Sequence, residues 1–155
     1  MSDVRTLKLA SITITPERVR AFMTYQRTLV NELSAPGGGD WAGRVAFAHG
    51  RGLAESGLDI LSQQQLRAAV ADFCGRRSTV MALKEKLATP PTTDAEKERH
   101  ARAVRELPKL ESLSEFEERY GTESLAALRA EEAELVRLHR RLAQLEGAGG
   151  HLHLA

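Results

Sequence analysis

The sequence predicts an all-α protein, an antiparallel bundle of four to five helices with an extended N-terminal arm. Between Thr122 and Glu146, leucines recur at steps of three, four or seven residues, which places them on one face of a helix. Weaker apolar stripes follow capping residues at Thr15, Ser62 and Thr93. A stripe on a single helix stays exposed to water, so these helices must pack against one another.

Three regions follow from this pattern. Residues 1–14 alternate apolar and polar residues but have no second strand to pair with, so we expect an extended arm lying over the helices or a strand completed by another copy. Residues 15–146 form the helical bundle domain. Residues 147–155 begin with a glycine-rich stretch and are expected to be a flexible tail.

The first two helices have clear boundaries. Thr15 followed by Pro16 starts a helix that runs to about Leu33, before a proline- and glycine-rich turn. Asp40 is expected to cap a second helix that ends at Gly57. That helix carries a stripe of small residues, which we expect to allow close packing on a neighbour: Ala42, Ala46, Gly50 and Ala54.

Capping boxes predict the next two helices, one from Ser62 with Gln65 and one from Thr93 with Glu96. Two prolines after residue 89 end the first, and Pro108 is expected to kink or split the second. A short helix follows to Tyr120 and ends at Gly121. One long helix, capped by Thr122, is then predicted to run to Glu146 and to end at Gly147.

Charged residues interrupt the apolar seams of the two longest helices. Arg76 and Glu131 occupy seam positions near the helix middles, and we predict that they form an ion pair inside the bundle. If the helices are rotated by one residue, Arg77 and Glu132 would meet instead. Such a pair sets register more than it stabilises. The alternative is that these side chains reach solvent.

The candidates for chemistry are few. His49 and Arg51 flank a glycine and could present backbone N–H groups and a guanidinium to an anion, although helix packing explains the same residues. Cys74 follows an apolar seam residue and is expected to be a buried or half-buried, unreactive thiol. An enzyme would have to combine His49, Arg51 and Cys74 in one polar pocket.

No cofactor or metal ion is expected. His151 and His153 supply two possible ligands, whereas a zinc site needs three or four, so a tethered tail is the favoured interpretation. The Glu-x-x-His spacing of di-iron bundles does not occur. We assign His100 and His139 no role.

Composition limits the remaining classes. With 22 basic and 21 acidic residues the net charge is +1, which gives no strong nucleic-acid signal. A weak contact with a phosphate backbone would need one continuous basic face, formed by Arg44, Arg51, Arg67, Arg76 and Arg77. No apolar run is long enough to span a membrane, and the single cysteine excludes an intrachain disulfide. We expect a soluble cytoplasmic protein, or an exported one that has lost its signal.

The sequence therefore favours a non-catalytic helical module that binds a partner protein or associates with itself, such as an adaptor, a chaperone-like protein or an assembly subunit. Two alternatives stay open. One is a small enzyme or anion-binding protein that uses His49 and Arg51, and the other is a weak nucleic-acid backbone binder.

Overall fold

The computed structural model describes residues 12–37 and 39–154, with the backbone alone for 148–154. The prediction of an all-α bundle is confirmed, because the described residues form helices and no strand. Most of the N-terminal arm, residues 1–11, lies outside the described residues. Its last part, residues 12–14, belongs to no helix or strand, and Ile14 is buried with its backbone N–H donating to the Ser124 hydroxyl at 2.9 Å.

Two helices form the first hairpin. Helix α1, Pro16–Ser34, begins as predicted, with the Thr15 hydroxyl accepting from the Arg18 N–H. Helix α2, Trp41–Ser56, ends as predicted at Gly57, whose φ of 72° is left-handed. Arg44 donates to carbonyl groups at the end of α1, including that of Ala35 at 2.6 Å. The hairpin is antiparallel, since the start of α2 thus lies beside the end of α1.

The small-residue stripe predicted to pack on a neighbouring helix does not face α1. Ala42, Ala46, Gly50 and Ala54 are exposed, whereas Ala48 and Gly52 are buried against α1. Gly52 makes the close approach, because a β-carbon there would lie 2.7 Å from Cδ2 of Tyr25. Both sets recur every four residues, so the packing of α2 on α1 decides which of them is covered.

Helices α3, Ile60–Leu87, and α4, Asp94–Ser112, form a second antiparallel hairpin. Helix α3 starts earlier than predicted, because the Asp59 carboxylate rather than Ser62 caps it, accepting from the Ser62 N–H at 2.6 Å. The capping box of Thr93 and Glu96 is confirmed. Pro108 lies within α4 without splitting it.

Three further helices complete the chain: α5, Ser114–Tyr120, α6, Thr122–Ala130, and α7, Glu132–Leu154. Leu113 separates α4 from α5 with φ 53°, and its side chain is buried. The prediction of one helix from residue 122 to 146 is wrong in two respects. Glu131 interrupts it with φ −118° and ψ 20°, and the helix after it continues past Gly147 to Leu154. Thr122 makes no side-chain cap either.

The core joins Ile12 and Ile14, α1, Ala48 of α2, α3 as far as Cys74, Leu113, and α5 to α7. Its largest side chains include an aromatic group in which the ring centroid of Phe116 lies 5.8 Å from that of Phe73 and 4.5 Å from that of Tyr120. From Met81 to Ser112 no residue is buried, and the extensive packing of α4 is against α3. We call residues 81–112 the outer hairpin and the rest of the described residues the inner bundle.

Candidate functional site

The predicted ion pair forms in its alternative register. Nε of Arg77 lies 2.8 Å from Oε1 of Glu132, and the Arg77 side chain is only 14% exposed. This N–H does not point at the oxygen, so the contact is an ion pair without a hydrogen bond. Arg76 does not pair with Glu131 among the described residues. It donates instead to Asp72 at 2.7 Å and to Glu115 at 3.1 Å, tying α3 to α5.

His49 and Arg51 lie on different faces of α2. Nδ1 of His49 is 2.6 Å from the Tyr25 hydroxyl, whereas Arg51 forms ion pairs with Glu32 and Glu55. The structure therefore does not bring them together as one anion site. Cys74 is separate from both, buried in the core, where burial raises the pKa of its thiol to about 12.

The remaining histidines do not form a cluster. Nε2 of His100 lies 3.4 Å from the Leu87 carbonyl oxygen, and His139 is half-buried on α7. The side chains of His151 and His153 lie outside the described residues. Within the described part of the chain, no group of three or more His, Cys, Asp or Glu side chains could hold a metal ion.

A cleft of about 910 Å³ lies between α2 on one side and α3 and α7 on the other, with α1 as its floor. We call it the central cleft. Its lining is largely apolar: Phe22, Leu29, Trp41, Val45, Val70 and Leu142. Its polar groups come from all four helices: Tyr25, Gln26, His49, Gln63, Gln64, Arg67, His139 and Glu146. Neither Arg51 nor Cys74 lines it.

Buried hydrogen-bonding groups lie at the floor of the central cleft. Tyr25 contacts both His49 and the side chain of Gln63, and burial raises the pKa of its phenol. When the protonated phenol donates to Nδ1 of His49, the neutral imidazole carries its proton on Nε2. Gln26 and Gln63 are only 3% and 2% exposed. Such groups can orient a ligand, but the described residues offer no nucleophile beside a base.

Of these residues, only His49 is predicted from the sequence as part of a candidate site; its neighbours are not. Gln26 and Gln63 are polar residues at buried helix positions, a pattern that signals either a satisfied core or a binding site. The position of α2 relative to α3 brings them to one cleft, and no local sequence pattern encodes that position.

A second groove of about 480 Å³ runs along α7 beside Met81, with Val136 at its base and Arg137, Arg140 and Arg141 around it. No helix among the described residues has the length and apolarity needed to cross a membrane. Comparisons of the chain with protein-family models, with curated proteins and with solved structures give no match.

Proposed function

We propose that this protein is a non-catalytic helical interaction module, and that the outer hairpin is its principal docking element for a partner protein. The observation that supports this proposal is the complete lack of buried side chains between residues 81 and 112. Helix α4 is 19 residues long, yet none of them is buried. Helices in proteins gain most of their stability from burying an apolar face, so a partner would supply what the inner bundle does not.

Apolar side chains on the outer hairpin are available for such a contact. Val104 is 49% exposed, and Met81 and Leu110 are each 39% exposed. Half-buried residues of α4, including Ala103 and Leu107, recur at the spacing of one face and contact α3. Val104 and Leu110 lie on opposite flanks of that face. A partner helix on either flank would convert two helices into a larger bundle.

The alternatives receive less support. Catalysis by His49, Arg51 and Cys74 would need these side chains in one pocket. Instead, His49 contacts Tyr25, Arg51 pairs with Glu32 on another face of α2, and Cys74 is buried in the core. Of the five arginines proposed for a basic face, four are engaged by protein oxygen atoms: Arg44, Arg51, Arg76 and Arg77. Arginines held by carboxylates or helix ends contribute little to a continuous field for phosphate.

Photo-cross-linking in the cells that make the protein tests the docking role. A photoreactive residue is placed at Val104, at Leu110, and at Glu98 as a control on the face of α4 that points away from α3. We expect one discrete protein adduct from position 104 or 110 and none from position 98. Equal adducts at all three positions, or none at positions 104 and 110, would reject the proposal.

A second variant separates docking from folding. An aspartate on the docking flank should abolish the adduct formed from a neighbouring position on that flank, Val104→Asp for position 97 or Leu110→Asp for position 106, because a charge would enter the apolar contact. The same change should leave the free energy of unfolding, measured by urea denaturation, within about 0.5 kcal/mol of wild type, since the side chain is not buried. Glu98→Lys serves as the matched charge change and should preserve the adduct.

A further inference from the structure

The central cleft exists because α2 packs on α1 and has no comparable packing on α3. The side of α2 that faces the cleft carries Ala42 and Ala46, whose side chains are too short to cross it. The resulting volume of about 910 Å³ falls in the range of small-molecule sites, which is roughly 300–1,000 Å³. This space does not depend on the outer hairpin.

The walls suit an apolar body. Trp41 and Val45 on α2 face Val70 on α3 and Leu142 on α7, over a floor that includes Phe22 and Leu29. Trp41 is the single tryptophan of the chain. Small-molecule sites typically combine such apolar walls with a few polar groups that orient the ligand. Polar groups at the floor are Tyr25 with its partners His49 and Gln63, and Gln26.

The charges at the cleft are few. The lining contains one arginine, Arg67, and one acidic residue, Glu146, and both side chains are exposed. Among the described residues neither forms an ion pair. Burial has the largest effect on the pKa of Tyr25 and raises it; Arg67 lowers this pKa more than Glu146 raises it. Arg67 therefore lies close enough to the cleft floor to act on the phenol of Tyr25.

We infer that the central cleft binds a small molecule with an apolar body and one carboxylate group, whose negative charge pairs with the guanidinium of Arg67. The apolar body lies between Trp41 and Leu142. The planar guanidinium matches a carboxylate with two parallel hydrogen bonds. Glu146 repels a second negative charge, so a monoanion is preferred to a dianion. This inference is independent of the proposed docking role of the outer hairpin.

Decanoate and decanol are matched probes, because they share the alkyl chain and differ in the charged group. Binding to the purified full-length chain is measured by the fluorescence of Trp41, below the micelle concentration. We expect decanoate to bind at least about tenfold more tightly than decanol, the factor that a charge-assisted hydrogen bond supplies. Equal affinity, or no binding of either probe, would overturn the inference.

Charge variants give effects of opposite sign. Arg67→Gln should remove the preference for decanoate, while Glu146→Gln should strengthen decanoate binding by roughly threefold through loss of a like charge. Both side chains are exposed, so the fold should persist, and circular dichroism checks this. An unchanged decanoate affinity in Arg67→Gln would mean that the chain binds alkyl chains non-specifically, without Arg67, and the inference would fail.

A steric pair locates the site. Ala46→Phe should fill the cleft and abolish binding of both probes. Ala54→Phe places the same ring on the same exposed stripe, outside the cleft lining, and should leave binding unchanged. Equal effects of the two variants would contradict the assignment. Adducts from position 104 should be unaffected by Ala46→Phe, so failure of this inference and failure of the docking proposal are distinguishable.

Discussion

Within α3, the residues up to Val80 and the residues after it have different surroundings. Leu66, Phe73 and Cys74 are buried in the inner bundle, whereas no residue of α3 from Met81 to Leu87 is buried. The outer hairpin is held by local features instead: the capping box at Thr93, two prolines at its tip and an ion pair between Lys84 and Glu111. Tertiary burial therefore stabilises one end of a continuous helix and local chemistry the other.

This difference implies unequal local stability. Regions with few buried apolar contacts open at lower free energy than the core to which they are attached. The outer hairpin should exchange its amide hydrogens faster than α1 or the buried half of α3. A docking element needs an available surface, which the same lack of burial provides.

The largest expected effect comes from emptying the core. Phe73→Ala should lower the free energy of unfolding by about 3–5 kcal/mol, because it leaves a cavity beside Phe116. Leu110→Ala on the outer hairpin should cost less than about 1 kcal/mol, since that side chain is partly solvated. Urea denaturation measures both. Similar losses would show that the two regions share one core.

Rates of thiol labelling compare how often the inner bundle and the outer hairpin open. The buried Cys74, whose pKa is raised to about 12, stays protonated at neutral pH and reacts only after opening. Labelling should be about a thousandfold slower than at Ala101→Cys on α4, because the unfolded fraction of a stable domain is roughly 10⁻³ or less. Comparable rates would place Cys74 at an accessible surface.

Two glycines on α2 should respond in opposite directions. Gly52→Ala should destabilise by about 1–3 kcal/mol, because its β-carbon would lie 2.7 Å from Tyr25 and 2.9 Å from Leu29. Gly50→Ala meets no atom within 4 Å and should stabilise by about 0.5–1 kcal/mol through helix propensity. Thermal unfolding with both variants checks the rotation of α2, and a stabilising Gly52→Ala would contradict it.

The smallest effect concerns acid stability. Hydrogen bonds from Arg137, and a weaker one from Arg27, lower the pKa of Glu134 to about 2. A lowered pKa in the folded state stabilises above the unfolded value, near 4.5, and that stability is lost as pH falls toward 2. Glu134→Gln should therefore cost about 0.5 kcal/mol at pH 7, the scale of a solvent-screened pair.

The matching carboxylate on the outer hairpin provides a comparison for this titration. Lys84 lowers the pKa of Glu111, so Glu111→Gln should also lose its destabilising effect as the pH falls. Denaturation at pH 7 and pH 2 measures both variants. A Glu134→Gln difference that persists at pH 2 would show that the contact acts through packing rather than charge.

Boundaries set by local chemistry could be predicted from the sequence. Thr15, and Thr93 with Glu96, accept from free N–H groups, and Pro16 has no N–H that needs a partner, so the helix starts follow from neighbouring residues. Gly57 and Gly121 end helices at positive φ, which glycine adopts without steric cost. Cys74 could likewise be predicted to be at least half-buried, because it follows the apolar seam residue Phe73.

Features set by long-range packing could not be predicted. Nothing near Glu131 disfavours a helix, yet the helix breaks there, and Arg77 rather than Arg76 faces α7. Small residues lie on two sides of α2, so its rotation depends on Tyr25 and Leu29, over twenty positions earlier. The central cleft depends on that rotation and on the separation of α2 from α3, neither of which a local pattern records.

Leu113 determines how the outer hairpin is attached at its base. A leucine with φ 53° adopts a conformation that costs roughly 1–2 kcal/mol relative to a right-handed one, and here its side chain is anchored in the interior. A glycine at this point would let the backbone rotate more freely between α4 and α5. The buried leucine instead restricts this rotation. A force applied by a partner at the proline tip should therefore displace α5, and with it Phe116.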